Sequence, residues 1–167
     1  MKTRQLTVAA MVGAAYIALS LLGHVFGITF GAVQCRFSEA LCVLPFLLPE
    51  TTWGLFVGCL VSNLLSPYGL LDLLAGAFAT GLAAWLTARC KNRYLAPLPP
   101  VLLNAILVGG MIAYEQTGFS PAFAAAFWFN ACSVAAGEAI ACYGLGLLLL
   151  RRIEKLPAVR RRQEDAR

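Results

Sequence analysis

Charge is scarce in this chain, and most of it lies in clumps. Asp, Glu, Lys and Arg make up 13% of the 167 residues, against 60% apolar residues. A soluble domain of this size cannot hide so much apolar side chain in its own core, whereas a bilayer can. Other absences narrow the function. No G-x-x-x-x-G-K-[ST] stretch occurs, so the chain carries no phosphate-cradling loop for ATP. No H-E-x-x-H or G-x-S-x-G occurs either, and His24 is the single histidine, read as a capping or interfacial residue. An embedded enzyme would have to work with carboxylates alone. Cys35, Cys42, Cys59, Cys90, Cys132 and Cys142 form no C-x-x-C pair. Most lie in apolar runs, where cysteine acts as a small hydrophobe, so the pattern calls for no disulfide, metal or cofactor. No linker, low-complexity tract or internal repeat divides residues 1–167, which read as a single transmembrane domain. More membrane follows the first apolar run, so no cleavable signal peptide is expected.

What is present is a series of six apolar segments. They cover about 5–26, 38–48, 52–65, 70–88, 98–114 and 121–150, with a basic tail at 151–167. They lack period-two alternation. A backbone in lipid must satisfy its own polar groups, so the expected fold is all-α, a six-helix polytopic bundle. The second segment is shorter than the ~20 residues a span normally needs. Charge argues that it crosses all the same. Lys2 and Arg4 precede the first segment, Arg89, Lys91 and Arg93 follow the fourth, and the "RRIEKLPAVRRRQEDAR" tail follows the sixth. The positive-inside rule places all three clusters in the cytoplasm, which demands four crossings and then two, with both termini cytoplasmic. The tail reads as a topology anchor on anionic lipid headgroups rather than a nucleic-acid arm, because no aromatic residues interleave with its charges.

Of the 13 basic residues, only Arg36 falls outside these clusters. It opens "RFSEALCVLPF", on the side where the rule disfavours it. Glu39, Asp72 and Glu115 fall near the same outer face, and Glu138 lies deeper, inside the sixth segment. Ionisable side chains at membrane depth cost ~2.5–3.5 kcal/mol each, so they generally face a cavity or a partner. Helical spacing puts Asn104 and Glu115 on one face, Asn130 and Glu138 about 80° apart, and Arg36 within ion-pair reach of Glu39. With Asn63, Phe37 and Trp128, these residues form an outward set of donors, acceptors and aromatics suited to a small polar heterocycle. A plainer reading is available for some of them. Arg36 and Glu39 would staple a loop to a helix, and the asparagines would be interhelical glue. Glu138 is the strongest functional candidate, because no basic residue of equal depth is evident. Ala10, Ala14 and Ala18 form a small-residue stripe on the first helix, suited to close approach by another helix, internal or external.

The stretches "VQCRFSEALCVLPFLLPE", "GLFVGCLVSNLL", "LLDLLAGAFATGLAAWLTA", "PPVLLNAILVGGMI" and "AAGEAIACYGLGLLLL" together resemble the QueT family. These are substrate-binding S components of energy-coupling factor transporters for queuosine precursors. The resemblance runs through nearly the whole chain and is most specific at R-x-S-E-A-L and G-E-A. It implies no enzyme activity. It implies capture of one molecule from outside at a prokaryotic plasma membrane. It also implies docking through the Ala10, Ala14, Ala18 face onto a coupling subunit that carries two ATPases. The implied ligand is a 7-deazaguanine such as the 7-cyano or 7-aminomethyl form. On that reading Glu138 accepts its paired N–H donors, Asn104 or Asn130 serves its carbonyl, and Trp128 or Phe37 stacks on its rings. Asp72 or Glu115 meets an aminomethyl cation, and Arg36 orients Glu39. Other readings of the same residues are a self-sufficient secondary carrier with Glu138 as a proton site, an S component for another vitamin, and a membrane enzyme using Glu39, Asp72 and Glu115.

Overall fold

The computed structural model describes residues 3–26, 36–66, 69–157 and 159–160. Among these the chain is all-helical, with no strand. Six rods follow in order: α1 (Thr3–Val25), α2 (Phe37–Phe46), α3 (Thr51–Ser62, extended by a 3₁₀ turn at Asn63–Leu65), α4 (Gly69–Thr87), α5 (Leu98–Thr117) and α6 (Phe123–Ile153). Four of them, α1, α4, α5 and α6, are long and apolar enough to cross a membrane, at 23, 19, 20 and 31 residues. The expected loop from Gly27 to Phe37 lies almost wholly outside the described residues, as do Tyr68 and the end of the basic tail.

Residue pairs fix the direction of each rod. Gly54 and Gly58 of α3 meet Ala9 and Gly13 of α1 in parallel order. Asn63 and Phe56 of α3 meet Gly76 and Gly81 of α4 in reverse order. Gln116 and Asn104 of α5 meet Asn130 and Glu138 of α6, again in reverse. The rods therefore alternate up and down. Thr3, the α4–α5 connection and Ile153 gather at one end, where Arg93 reaches Glu154 at 3.5 Å.

Two rods depart from α geometry. α2 is a ten-residue 3₁₀ helix with Ser38 through Pro45 all buried. A 3₁₀ helix rises about 2.0 Å per residue against 1.5 Å for α, so ten residues reach about 20 Å instead of 15. Tighter winding makes up the length this segment lacks. Three residues per turn also stack Glu39 directly over Cys42. In α6, residues Ile140–Gly146 relax into a π turn, with the Leu147 N–H donating to the Cys142 carbonyl. The two irregular segments pack on one another. A Cβ on Gly146 would sit 3.0 Å from Val43 and 3.2 Å from the Ala40 carbonyl oxygen.

Close backbone approach holds the other pairs. A Cβ on Gly13 would lie 2.8 Å from the Gly54 carbonyl oxygen, and one on Gly109 2.8 Å from the Ala131 Cα. Small residues let dispersion act between helix backbones, as association inside lipid requires. Only 22% of the apolar window of α1 is buried against 50% for α5, so α1 lies at the rim of the bundle. Its inner stripe is Ala9, Gly13, Tyr16 and Gly23. Ala10, Ala14 and Ala18 face outward.

Gly54→Leu is expected to destabilise the bundle by about 3 kcal/mol, because its side chain must enter the α1 backbone. Gly144→Leu, at an exposed position with nothing within 4 Å of its Cβ, serves as the control. Thermal unfolding in detergent compares the two, and equal midpoints would contradict the packing described.

Candidate functional site

Charge inside the bundle gathers around Arg36, which immediately precedes α2. Its guanidinium donates to Asn63 Oδ1 at 3.3 Å and to Asp72 Oδ2 at 3.5 Å, with side chains 11% and 0% exposed for Arg36 and Asp72. Asn63 in turn donates to the Asp72 carbonyl at 3.0 Å. The ends of α3 and α4 are thus tied to the start of α2. Gly76 leaves room for this knot, since a Cβ there would collide with the Asn63 amide.

The Glu39 carboxylate takes other hydrogen-bond donors. It accepts from the Tyr16 hydroxyl of α1 and from the Cys42 thiol at 2.9 Å. The expected Arg36–Glu39 pair is therefore replaced. Winding α2 as 3₁₀ stacks Glu39 on Cys42, and α1 supplies the phenol. Ser20 donates to Ser38 at 2.8 Å one level further along α1.

Glu138, 5% exposed, accepts from Asn104 Nδ2 at 3.0 Å and from the Cys142 thiol at 3.6 Å. Cys142 also lies 3.3 Å from the Glu39 carbonyl, in the π turn. Arg36, Asn104, Val108, Val134 and Glu138 line one cavity of about 10 Å³, room for roughly one water molecule. The expectation that no cation shares the depth of Glu138 is corrected here. Arg36 reaches inward from the start of α2 and faces the same cavity, a position that linear spacing in the sequence could not supply.

The acids differ in how well they are served. Glu39 has a phenol and a thiol. Glu138 has one amide and a long contact from a weak thiol donor. Asp72 has Arg36 on one oxygen, while its buried Oδ1 has no hydrogen-bond partner. An unsatisfied buried acceptor costs about 1–3 kcal/mol. Glu138 and Asp72 are therefore the carboxylates with most to gain from a donor-rich guest.

Other sequence candidates lie elsewhere. Asn130 is buried but donates to Gln116 at 2.9 Å and to the Ala126 carbonyl at 2.8 Å, serving as α5–α6 glue. Trp128 is 67% exposed on the outer face of α6, with its ring edge-on to Phe127, so it does not stack over the cavity. Glu115 is exposed near the end of α5, and Phe37 is half-buried. The structure adds Tyr16, Cys42, Cys142 and Val134, which sequence reading passed over. The two thiols looked like small hydrophobes, but each donates to a buried carboxylate. No group of three or more metal-ligating side chains occurs among the described residues, and Cys42, Cys59, Cys90, Cys132 and Cys142 are not joined in disulfides.

Comparison with known proteins bears on this arrangement. The sequence matches the QueT transporter family over residues 6–155. It is 30% identical over 79 residues to the queuosine precursor transporter QueT of Lactococcus lactis subsp. cremoris (strain MG1363), a stretch that is 47% of this chain and 46% of that protein. The match thus spans about half the length of that relative. No solved structure gives a significant match.

Arg36→Met would leave Asp72 buried without its cation and is expected to cost about 3 kcal/mol. Adding Asp72→Asn should restore more than half of that loss. Thermal unfolding of both purified variants tests the pairing, and a double variant no more stable than the single one would refute it.

Proposed function

The chain belongs to the QueT transporter family, a multi-pass protein of the prokaryotic plasma membrane, and we propose that it captures a queuosine precursor of the 7-deazaguanine class at the Glu138 cavity. The observation that carries this reading is the cavity's lining: one carboxylate, one amide and one guanidinium converge there, deep in an apolar bundle. A guanine-like edge presents adjacent N–H donors beside a carbonyl acceptor. Glu138 accepts the paired donors in a charge-assisted contact, and Arg36 donates to the carbonyl. Asn104 holds the Glu138 carboxylate in orientation. Val108 and Val134 offer apolar walls to the ring faces. The unpartnered oxygen of Asp72 suits an aminomethyl cation.

A bicyclic base exceeds a cavity of about 10 Å³, so binding must part the walls. The α5–α6 pair is held by backbone contact at Gly109 and Ala131, whereas Arg36 holds its partners at 3.3 and 3.5 Å. Glu138→Gln turns one acceptor oxygen into a donor that opposes the ligand's own N–H groups. Binding should weaken more than tenfold while the protein still folds. Isothermal titration with a 7-deazaguanine measures this, and unchanged affinity would remove Glu138 from the site.

The absence of an ATP-binding loop from this sequence favours an external energising module, as the resemblance to S components implies. The outward stripe of α1 suits that partner. Ala10 and Ala14, with Gly54 and Gly58, line a shallow apolar groove of about 410 Å³ that another helix could enter closely. Ala14→Trp should block recovery of a coupling subunit in a pull-down and leave ligand affinity unchanged. Undiminished recovery would argue against this face.

A further inference from the structure

The side of the bundle between α3 and α4 carries a second groove, larger than the ligand cavity and unrelated to it. Its volume is about 730 Å³. Trp53 and Phe56 of α3 and Phe78 and Trp85 of α4 wall it, Gly81 deepens its floor, and Arg89 stands at its mouth. Gly81 is required there, because a Cβ would lie 2.8 Å from the Phe56 ring. Arg89 lies 3.4 Å above the Trp85 ring centroid and donates one N–H to the Trp85 carbonyl at 3.4 Å. Its side chain is exposed, so most of its five donors remain directed to the surroundings.

Charge at the mouth chooses an occupant. From Phe78 to Thr87 is nine helical steps, and two turn residues carry the chain on to Arg89, about 16 Å in all. Half of a ~30 Å hydrocarbon core is about 15 Å. The stretch from Arg89 to Phe78 therefore matches the depth of one leaflet, and a further apolar hollow of about 540 Å³, lined by Leu60, Leu74 and Leu107, continues past Phe56 and Phe78. The groove begins at the end of the bundle where Arg89, Lys91 and Arg93 cluster, the end that the positive-inside rule assigns to the anionic cytoplasmic leaflet. We propose that this groove is a binding site for an anionic phospholipid of the inner leaflet, with an acyl chain against the four aromatic rings and the phosphate on Arg89. Arginine suits the role because its planar fork can stack on Trp85 and bind a phosphate at the same time.

Tryptophan fluorescence reads the site directly. The full chain carrying Trp128→Phe leaves Trp53 and Trp85, both groove residues, as reporters. It is reconstituted in phosphatidylcholine vesicles containing rising fractions of brominated phosphatidylglycerol or, separately, brominated phosphatidylcholine. Half-quenching should occur at an at least threefold lower fraction of the anionic lipid. Arg89→Gln should bring the two curves together, and Lys91→Gln should leave them apart. Equal curves in the Trp128→Phe protein would overturn the proposal. So would a preference that survives Arg89→Gln, which would belong to the basic cluster at large, or protection from both lipids, which would mean a protein segment covers the groove. Ligand titration at the Glu138 cavity is read separately and stands or falls on its own.

Discussion

The burial of Arg36 against Asp72 is the constraint from which the rest of the bundle follows. An ion pair taken out of water loses several kcal/mol of hydration per ion, and only close, fully hydrogen-bonded geometry offsets the loss. The need for such partners draws three elements together, though one Asp72 oxygen is left without a donor. The start of α2 brings the guanidinium, the end of α3 brings Asn63, and the first turns of α4 bring Asp72. Once Arg36 is fixed there, α2 must descend through the centre of the bundle. Nearly all of its residues are then buried, and the Glu39 carboxyl must find donors on α1.

The irregular windings are consequences of that central position. A 3₁₀ helix is poorer in hydrogen-bond geometry than an α-helix, and runs beyond three or four residues are uncommon. Here the tighter winding gives reach to a segment with too few residues, and every neighbour supports it. The π turn of α6 is its counterpart. By widening at Ile140–Gly146, α6 brings the Cys142 thiol toward both Glu39 and Glu138. Tyr16, Glu39, Cys142 and Glu138 thus form a contiguous polar chain from the rim helix α1 to the Glu138 cavity.

The fold was largely legible because its cause is local. Apolar length, absence of alternation and clumped basic charge each act within a segment, and all pointed to one helical bundle. Segment limits moved by only a few residues, as at α5, which continues to Thr117. The site was legible in part. Arg36, Asn63, Asp72, Asn104 and Glu138 stood out because polar side chains in apolar runs need a reason to be there. Their pairing was not legible. The sequence rule for i, i+3 neighbours coupled Arg36 to Glu39, whereas the ring of partners comes from residues 27 to 36 positions away. Aromatic content misled for a similar reason. Trp128 lies two residues from Asn130, close in sequence but 200° away around the helix, and so faces outward.

A donor count favours the cavity, rather than the Glu39 cluster, as the proposed place for a guest. Three carboxyl groups, Glu39, Asp72 and Glu138, are buried around a single guanidinium. Folding supplies Glu39 with two donors from within the bundle and leaves Asp72 with a bare oxygen. It gives Glu138 an amide and only a distant thiol. A donor shortage inside a low-dielectric bundle is costly to the empty protein, and it is relieved by a molecule bearing several N–H groups on one edge. The same shortage discriminates among passengers. A heterocycle that presents only acceptors would meet carboxylate oxygens with lone pairs and would gain nothing at Glu138, however well its rings fitted between Val108 and Val134. Recognition on this account lies in which way the hydrogen bonds point.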